Sequence, residues 1–331
     1  MALKVAINGT GRIGIIVAKI IAERSDIELV ALNTTAKPDM LEYLLKFDSV
    51  HRGIDAKVVD DNTIAIGGKN VRMFRERDID KVDFGSAGAE VVIECTGVFL
   101  DQESCKKHLK NGVKKVIMSA PAKDESPTYV FGVNSDQYQG EAIISNASCT
   151  TNCLGPITKV LDDAFGIENG LMTTIHSYTN DQNVLDVKHN KDPRRARAAA
   201  LNMIPTSTGA AKAIGKVMPH LLGKLNGYAM RVPTPDVSVV DLTVNLKKEV
   251  TKEDIHAAFN GAAQGAFKGL IEVDNDKRVS SDFIGSTYSS TYVPDMTSVV
   301  DGHTVKVLAW YDNEWGYSSR LVDMTVLIGT H

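Results

Sequence analysis

The chain has 331 residues, 43% hydrophobic and 24% charged, with a formal net charge of −4 at pH 7. That length exceeds one ordinary core and implies two domains, and the acidic balance excludes the basic surplus of a nucleic-acid binder. No uncharged apolar run is long enough to span a bilayer, four cysteines make no disulfide framework, and no Cys/His spacing completes a metal site. A cytoplasmic protein with reduced thiols is expected, with no nucleic-acid, membrane or metal partner.

Residues 3–7 read as a strand that starts the chain without a signal segment, followed by Asn8-Gly9-Thr10-Gly11-Arg12-Ile13-Gly14, a helix over 11–25 and a second strand over 28–32. Gly9, Gly11 and Gly14 satisfy G-x-G-x-x-G between strand and helix, where glycines allow a tight turn and bring amides close to a pyrophosphate. The acid that usually follows the second strand, to bind a ribose 2′-hydroxyl, is missing. Asn33-Thr34-Thr35 stand there with Lys37 close behind, so NAD and NADP both remain open. Short β-rich segments follow at 58–59, 63–66, 90–95 and 116–118, with a helix over about 102–111.

The run Ser145-Asn146-Ala147-Ser148-Cys149-Thr150-Thr151-Asn152-Cys153 leads into a helix whose apolar face is Leu154, Ile157, Leu161 and Phe165. A thiol at a helix N-terminus is expected to have a lowered pKa, because the unpaired amides favour the thiolate. Beyond it the strands lengthen and alternate, at 172–176, 228–232, 237–246 and 304–310, as in an antiparallel or mixed sheet. Helices are expected at 210–222, 252–266 and 313–327. The fold class is therefore α/β: a Rossmann-type dinucleotide-binding domain, then an α+β catalytic domain with a mostly antiparallel or mixed sheet, divided near residue 148.

A nucleophilic thiol needs a base. Among eight histidines, His176 stands out at a strand end in His-Ser-Tyr-Thr; Cys153, one turn beyond Cys149, reads as a packed structural thiol. Thr206-Ser207-Thr208-Gly209 opens a helix and suits an anion as well as an ordinary cap. Arg231 ends a strand, and Arg194, Arg195 and Arg197 cluster as donors shaped for phosphate.

These residues resemble phosphorylating glyceraldehyde-3-phosphate dehydrogenases. The matches are the Asn8–Gly14 turn, Ser148-Cys149-Thr150-Thr151-Asn152-Cys153, His176-Ser177-Tyr178-Thr179, Ser207-Thr208-Gly209-Ala210-Ala211-Lys212 and Trp310-Tyr311-Asp312-Asn313-Glu314-Trp315-Gly316-Tyr317-Ser318. The resemblance implies a dinucleotide domain of 1–148 with 313–331, a catalytic domain of 149–312 and a homotetramer. It implies that Cys149 attacks the aldehyde of glyceraldehyde 3-phosphate with His176 as base, that hydride passes to NAD or NADP, and that inorganic phosphate releases the acyl group. Carried over, Thr179, Asp181 and Arg231 hold the substrate phosphate, and Ser148, Thr150, Thr208, Gly209 and Arg195 hold the attacking one. Gly9, Gly11, Arg12, Ile13, Gly14, Thr34, Arg77, Thr96, Ser119, Lys188, Asn313 and Tyr317 bind the cofactor.

Five positions depart from the family pattern. Thr10 replaces a common phenylalanine and Ile15 a common arginine, both expected to stay clear of the chemistry. Thr34 replaces the aspartate of NAD-preferring members, and Val187-Lys188 a common Leu-Pro. The last two changes favour a 2′-phosphate, so use of NADP beside NAD is expected. The alternatives are an erythrose-4-phosphate dehydrogenase, which releases a free acid, and a non-catalytic dinucleotide-binding regulator.

Overall fold

The computed structural model describes residues 2–190 and 192–331, in two compact units. One holds the residues up to Phe131 with Ser135–Ser148 and Ser318–His331; the other holds Gly132–Asn134 and Cys149–Tyr317.

In the first unit, β1 (Leu3–Asn8), α1 (Arg12–Ala22) and β2 (Ile27–Asn33) form the strand–helix–strand opening. There follow α2 (Pro38–Lys46), β3 (Ala56–Asp60), β4 (Thr63–Ile66), β5 (Lys69–Phe74), β6 (Val91–Glu94), α3 (Gln102–Lys106), β7 (Lys115–Met118) and β8 (Ile143–Ser145). The sheet order is β3-β4-β5-β2-β1-β6-β7-β8, parallel from β5 to β8 with an antiparallel β3–β4–β5 edge. Strand order reverses between β1 and β6, and at such a switch point a crevice opens beyond the strand carboxyl ends. The central strands are buried on both faces, so Val5, Ala6, Ile7, Val92 and Ile93 read as unbroken apolar runs. The helix expected over 102–111 ends at Lys106, and Asn111 lies in the left-handed region at φ 52°.

Lys19, the charge in the apolar face of α1, is 2% exposed. Its Nζ lies 2.8 Å from Asp48 and donates to the Arg52 carbonyl at 3.2 Å, while Arg12 reaches the same carboxylate at 3.1 Å. Burial would raise the Asp48 carboxyl, but Lys19, the Val50 and His51 amides and Arg12 hold it well below the usual carboxylate range. The pair thereby ties α1 to the segment after α2 and fixes one side of Arg12, at the glycine turn.

The second unit contains α4 (Cys149–Phe165), β9 (Ile167–Ser177), β10 (Ile204–Ser207), α5 (Ala210–Val217), β11 (Leu225–Val232), β12 (Ser238–Leu246) and α6 (Lys252–Gln264). β13 (Ile271–Val273), β14 (Ser290–Tyr292), β15 (Ser298–Val300) and β16 (Thr304–Tyr311) complete it, and α7 (Trp315–Thr330) passes into the first unit at Ser318. The sheet runs β10-β11-β9-β12-β16-β14-β13 with β15 beside β16. Among the described residues only β11–β9 and β13–β14 are parallel, so the sheet is mixed, as its alternation implied. α4 packs on β9, β12, β14 and β16 through Leu154, Ile157 and Leu161, all fully buried. The helix expected to reach 222 stops at Val217, since Pro219 disfavours helical geometry in the residue before it. Residues 313–317 lie in the second unit, where Asn313 is bonded to β9 and β12 side chains.

Replacing Asp48 by alanine leaves the Lys19 ammonium buried without its counter-ion. Asp48→Ala should lower unfolding free energy by about 3–5 kcal/mol, read from chemical denaturation. A loss below about 1 kcal/mol would mean that the pair behaves like an exposed one.

Candidate active site

β8 ends at Ser145, and Ala147 then takes a left-handed conformation, φ 57°, before α4 begins at Cys149. Such a backbone in a non-glycine residue is held by its surroundings: Ala147 is buried and its amide donates to Ser145 Oγ at 3.1 Å. The reversal presents Cys149 on the first turn of the helix. His176 lies one residue before the end of β9, and its Nε2 is 3.5 Å from the Cys149 Sγ.

The imidazole's other nitrogen decides what this pair can do. Nδ1 lies 2.7 Å from the Ser177 carbonyl, an acceptor only, so Nδ1 carries the proton and Nε2 offers its lone pair to the thiol. Arg231 stands opposite His176 in the β11–β9 register. Its Nη1 donates to the Ser177 carbonyl at 2.9 Å and to Thr179 Oγ1 at 3.1 Å, and lies 3.0 Å from Nδ1.

Burial pushes the His176 pKa down to about 3, with the Arg231 cation adding to the effect. Burial also pushes the Cys149 thiol up, while Arg231, the Thr150 hydroxyl and the amides at the helix start pull it back. The expected net lowering of the thiol is therefore overturned: helix field and guanidinium oppose desolvation without overcoming it.

Thr150 turns its hydroxyl inward, 2.9 Å from the Tyr311 hydroxyl, which also lies 2.9 Å from Thr174 Oγ1. The Tyr311 ring meets the His176 ring edge-on at 6.1 Å. Tyr311 escaped the sequence reading; only its place in the Trp310–Ser318 motif marks it. Cys153 is fully buried in α4, and Ser290 Oγ donates to its backbone carbonyl.

Arginines and hydroxyls gather beside this pair. Arg195 bonds Asp181 at 2.6 Å, Thr206 Oγ1 at 2.9 Å and the Ser207 carbonyl at 3.1 Å. The Thr179 hydroxyl donates to the other Asp181 oxygen. Burial would raise Asp181, but Thr179, Arg231 and Arg195 hold it below the carboxylate range. Thr179, Asp181, Arg195 and Arg231 are thus one connected group. Thr208 accepts from the Ala210 amide at 3.2 Å, and Gly209, exposed, has open space where a Cβ would stand. The basic cluster seen in the sequence is split, since Arg197 turns to Asp186. Ser148 is half-buried just before Cys149, Tyr317 is buried, and Lys188 is exposed on the 181–190 loop.

In the first unit a cavity of about 490 Å³ opens over the glycine turn, lined by Gly9, Thr10, Gly11, Thr34, Arg77 and Thr96 among others. Gly9 has φ +100° and no room for a Cβ against Thr96; a Cβ on Gly14 would meet the Gly9 carbonyl at 1.9 Å. Gly11 faces open space, the cradle a dinucleotide pyrophosphate requires. Ile13 is half-buried in the first turn of α1, and Ser119 bonds the Cys95 thiol. Glu94, fully buried and missed in the sequence, accepts from Asn8 at 2.6 Å, the Thr96 amide at 2.7 Å and the Thr96 hydroxyl. The Thr34 hydroxyl lies 2.6 Å from that of Thr10 and accepts from the Ala36 amide at 3.1 Å. Thr10 therefore lines this cavity beside Thr34, away from the Cys149–His176 pair in the other unit.

His176→Asn removes the acceptor that faces the thiol, so burial is less opposed and the thiol titrates higher still. Alkylation of Cys149 by iodoacetamide should slow by about tenfold or more near neutral pH and recover as pH rises. An unchanged rate–pH profile would show that Nε2 does not serve the thiol.

Two family models match the chain: the NAD binding domain of glyceraldehyde 3-phosphate dehydrogenase over residues 3–102, and the C-terminal domain of the same enzyme over residues 148–313. The chain is 54% identical to the glyceraldehyde-3-phosphate dehydrogenase of Geobacillus stearothermophilus, over 100% of this chain and 99% of the relative. It is 53% identical to glyceraldehyde-3-phosphate dehydrogenase 1 of Bacillus subtilis, over 99% of this chain and 98% of the relative. It is 50% identical to the cytosolic glyceraldehyde-3-phosphate dehydrogenase of Pinus sylvestris, over 98% of this chain and 96% of the relative. With a thiol–imidazole pair in one unit and a dinucleotide cradle in the other, the chain belongs to the glyceraldehyde-3-phosphate dehydrogenase family.

Proposed function

We propose that this chain oxidises glyceraldehyde 3-phosphate with inorganic phosphate to 1,3-bisphosphoglycerate, with Cys149 as nucleophile and His176 as acid–base group. The observation that carries the reading is the 3.5 Å approach of Sγ to Nε2 while the Ser177 carbonyl holds the proton on Nδ1. Sulfur attacks the aldehyde carbon as Nε2 takes the thiol proton, which then passes to the new alkoxide. The hemithioacetal thus forms without leaving a lasting charge in a buried site. NAD, when bound, supplies the hydride-accepting nicotinamide that takes this carbon to the thioester level. Nε2 receives the hydroxyl proton in that oxidation. Phosphate then attacks the thioester carbonyl, and the Cys149 thiolate leaves and regains its proton from Nε2.

Arg231 and Thr179 hold the substrate phosphate, with Asp181 fixing Thr179 and Arg195 in place. Arg195, Ser148, Thr208 and Gly209 receive the attacking phosphate, together with Thr150 through its main chain, its hydroxyl being bonded to Tyr311. Gly9, Gly11, Arg12, Ile13, Gly14, Thr34, Arg77, Thr96 and Ser119 hold the dinucleotide, with Asn313 and Tyr317 at the nicotinamide end. NADP is accepted beside NAD: the Thr10–Thr34 hydroxyl pair carries no charge to repel a 2′-phosphate. Arg77 is exposed at the cavity and takes no polar partner among the described residues; Lys188, exposed on its loop, would face a neighbouring subunit's adenosine ribose in the proposed tetramer.

A homotetramer is supported by Val184, Leu185, Leu201 and Met203, each at least 74% exposed, and by Leu171 and Tyr228 on the sheet face away from α4. No helix is long and apolar enough to cross a membrane. The cytoplasm is the proposed location, as the name of the pine relative states for that protein.

Reduced-nicotinamide absorbance, followed with glyceraldehyde 3-phosphate while phosphate and cofactor are varied, tests the whole reading. Turnover should require phosphate; phosphate-independent release of a free acid would favour the erythrose-4-phosphate type. Cys149→Ser should abolish turnover and keep dinucleotide binding. NADP should serve within about tenfold of NAD, and Thr34→Asp should cut NADP use by about tenfold or more while sparing NAD. A preference of wild type for NAD above about a thousandfold would end the dual-use reading.

A further inference from the structure

The carboxyl ends of three neighbouring strands in the first unit carry one row of buried polar side chains. Asn33, Asn8 and Glu94 are the last residues of β2, β1 and β6, and they stand opposite one another in the parallel register. Their exposures are 7%, 1% and 0%, so each depends on protein partners.

Hydrogen bonding runs along this row in one direction only. The Glu76 amide donates to Asn33 Oδ1 at 2.9 Å and the Glu76 carbonyl accepts from Asn33 Nδ2 at 2.8 Å, which fixes the Asn33 side chain. Asn33 Nδ2 also donates to Asn8 Oδ1 at 2.8 Å. Asn8 must therefore turn its own Nδ2 onward, and donates to Glu94 Oε2 at 2.6 Å. From the other side the Thr96 amide donates to Glu94 Oε1 at 2.7 Å, and the Thr96 hydroxyl donates to the same oxygen. That hydroxyl accepts from the Val98 amide at 3.1 Å, which leaves its proton for Glu94. Both Glu94 oxygens thus face donors. A side-chain amide at 94 would set a donor against a donor whichever way it turned.

The row lies under the cavity of the first unit. Asn8, Asn33, Glu76 and Thr96 line that cavity, and Glu94 sits behind them. A Cβ on Gly9, next to Asn8, would stand 2.9 Å from the Thr96 amide nitrogen. The glycine turn and the 96–98 segment therefore touch where Glu94 bonds to both.

We propose that Glu94 is a positioning residue for the dinucleotide, tying the glycine turn to the 96–98 segment as the final acceptor of a one-way hydrogen-bond chain. This rests on the reading of the cavity as the dinucleotide cradle, and it adds what holds two walls of that cradle together. His108 Nε2 lies 3.2 Å from Glu94 Oε2, while its Nδ1 bonds no group among the described residues. The ring can accordingly present Nε2 as donor or as acceptor. That freedom permits an exchange of groups. In Asn8→Asp/Glu94→Gln the new amide donates to the new carboxyl, and the bonds to Asn33 and Thr96 keep their sense.

Calorimetric titration with NAD and with ADP-ribose, beside a melting curve for each variant, tests the chain without turnover. Glu94→Gln should weaken both ligands by about tenfold at temperatures where it is fully folded. The exchanged variant should return to within about threefold of wild type. Gly11→Val, whose side chain meets open space in the protein but enters the cradle, should also weaken both. If Gly11→Val binds both ligands as wild type does, the cradle reading itself falls. If Gly11→Val weakens them while Glu94→Gln lowers only the melting temperature, Glu94 is merely structural and the proposal is overturned. If Glu94→Gln weakens both but the exchange recovers nothing, the one-way chain is wrong. Asn33→Asp breaks the same chain from its other end, and wild-type affinity there would overturn the proposal should Glu94→Gln not fold.

Discussion

The Ser177 carbonyl, accepting from His176 Nδ1 at 2.7 Å, is the interaction on which the catalytic arrangement depends. A buried imidazole without it has two tautomers of similar energy, and only one of them can take a proton from Cys149. That carbonyl is placed by the sheet. Ser177 closes β9, its amide is held by Ser238 at the start of β12, and the β11 register brings Arg231 alongside. Three strands therefore fix one oxygen, one oxygen fixes one proton, and that proton decides that Nε2 is a base toward sulfur.

Burial sets the remaining conditions. It pushes the thiol up and the imidazole down. Arg231 then acts in opposite senses on the two partners, favouring a thiolate and disfavouring an imidazolium. In the first unit the fully buried Glu94 carboxyl is likewise surrounded by donors, from the Asn8 side chain and from the Thr96 hydroxyl and amide.

Much of the fold was legible because two periodicities are strong. The fully buried parallel strands around β1 read as apolar runs, and β9, β11, β12 and β16 alternate because only one of their faces is packed under helices. α4 was recoverable despite Pro156 within it, since Leu154, Ile157 and Leu161 keep one face. α2, by contrast, was missed: only Leu41 and Leu45 are buried in it, while Met40, Tyr43 and Phe47 stand exposed, so its apolar pattern has no clean stripe. β5 was missed for a related reason, because Lys69, Asn70 and Arg72 dilute its alternation. In the site, Cys149 and His176 could be named from residue type and context. Tyr311, Glu94 and Ser238 could not, since each acts through hydrogen bonds between segments far apart in the chain. The thiol's acidity was misjudged for the same cause: a helix start is visible in sequence, whereas the desolvation that outweighs it is a property of the folded site.

The departures from the family pattern are easier to understand in space than in sequence. Thr10 and Thr34 are 24 positions apart, yet their hydroxyls lie 2.6 Å from each other. A carboxylate at 34 would leave Thr10 beside a charge, and a phenylalanine at 10 would leave Thr34 without its partner. The two substitutions therefore act as one unit, and their effects on cofactor choice should not add. Thr34→Asp alone would test half of a coupled pair, and the cleaner reversal changes both positions. If Thr10→Phe/Thr34→Asp shifts NAD preference by a factor that differs clearly from the product of the two single shifts, as steady-state comparison of the two cofactors would show, then selectivity at this ribose lies in the contact between the two side chains.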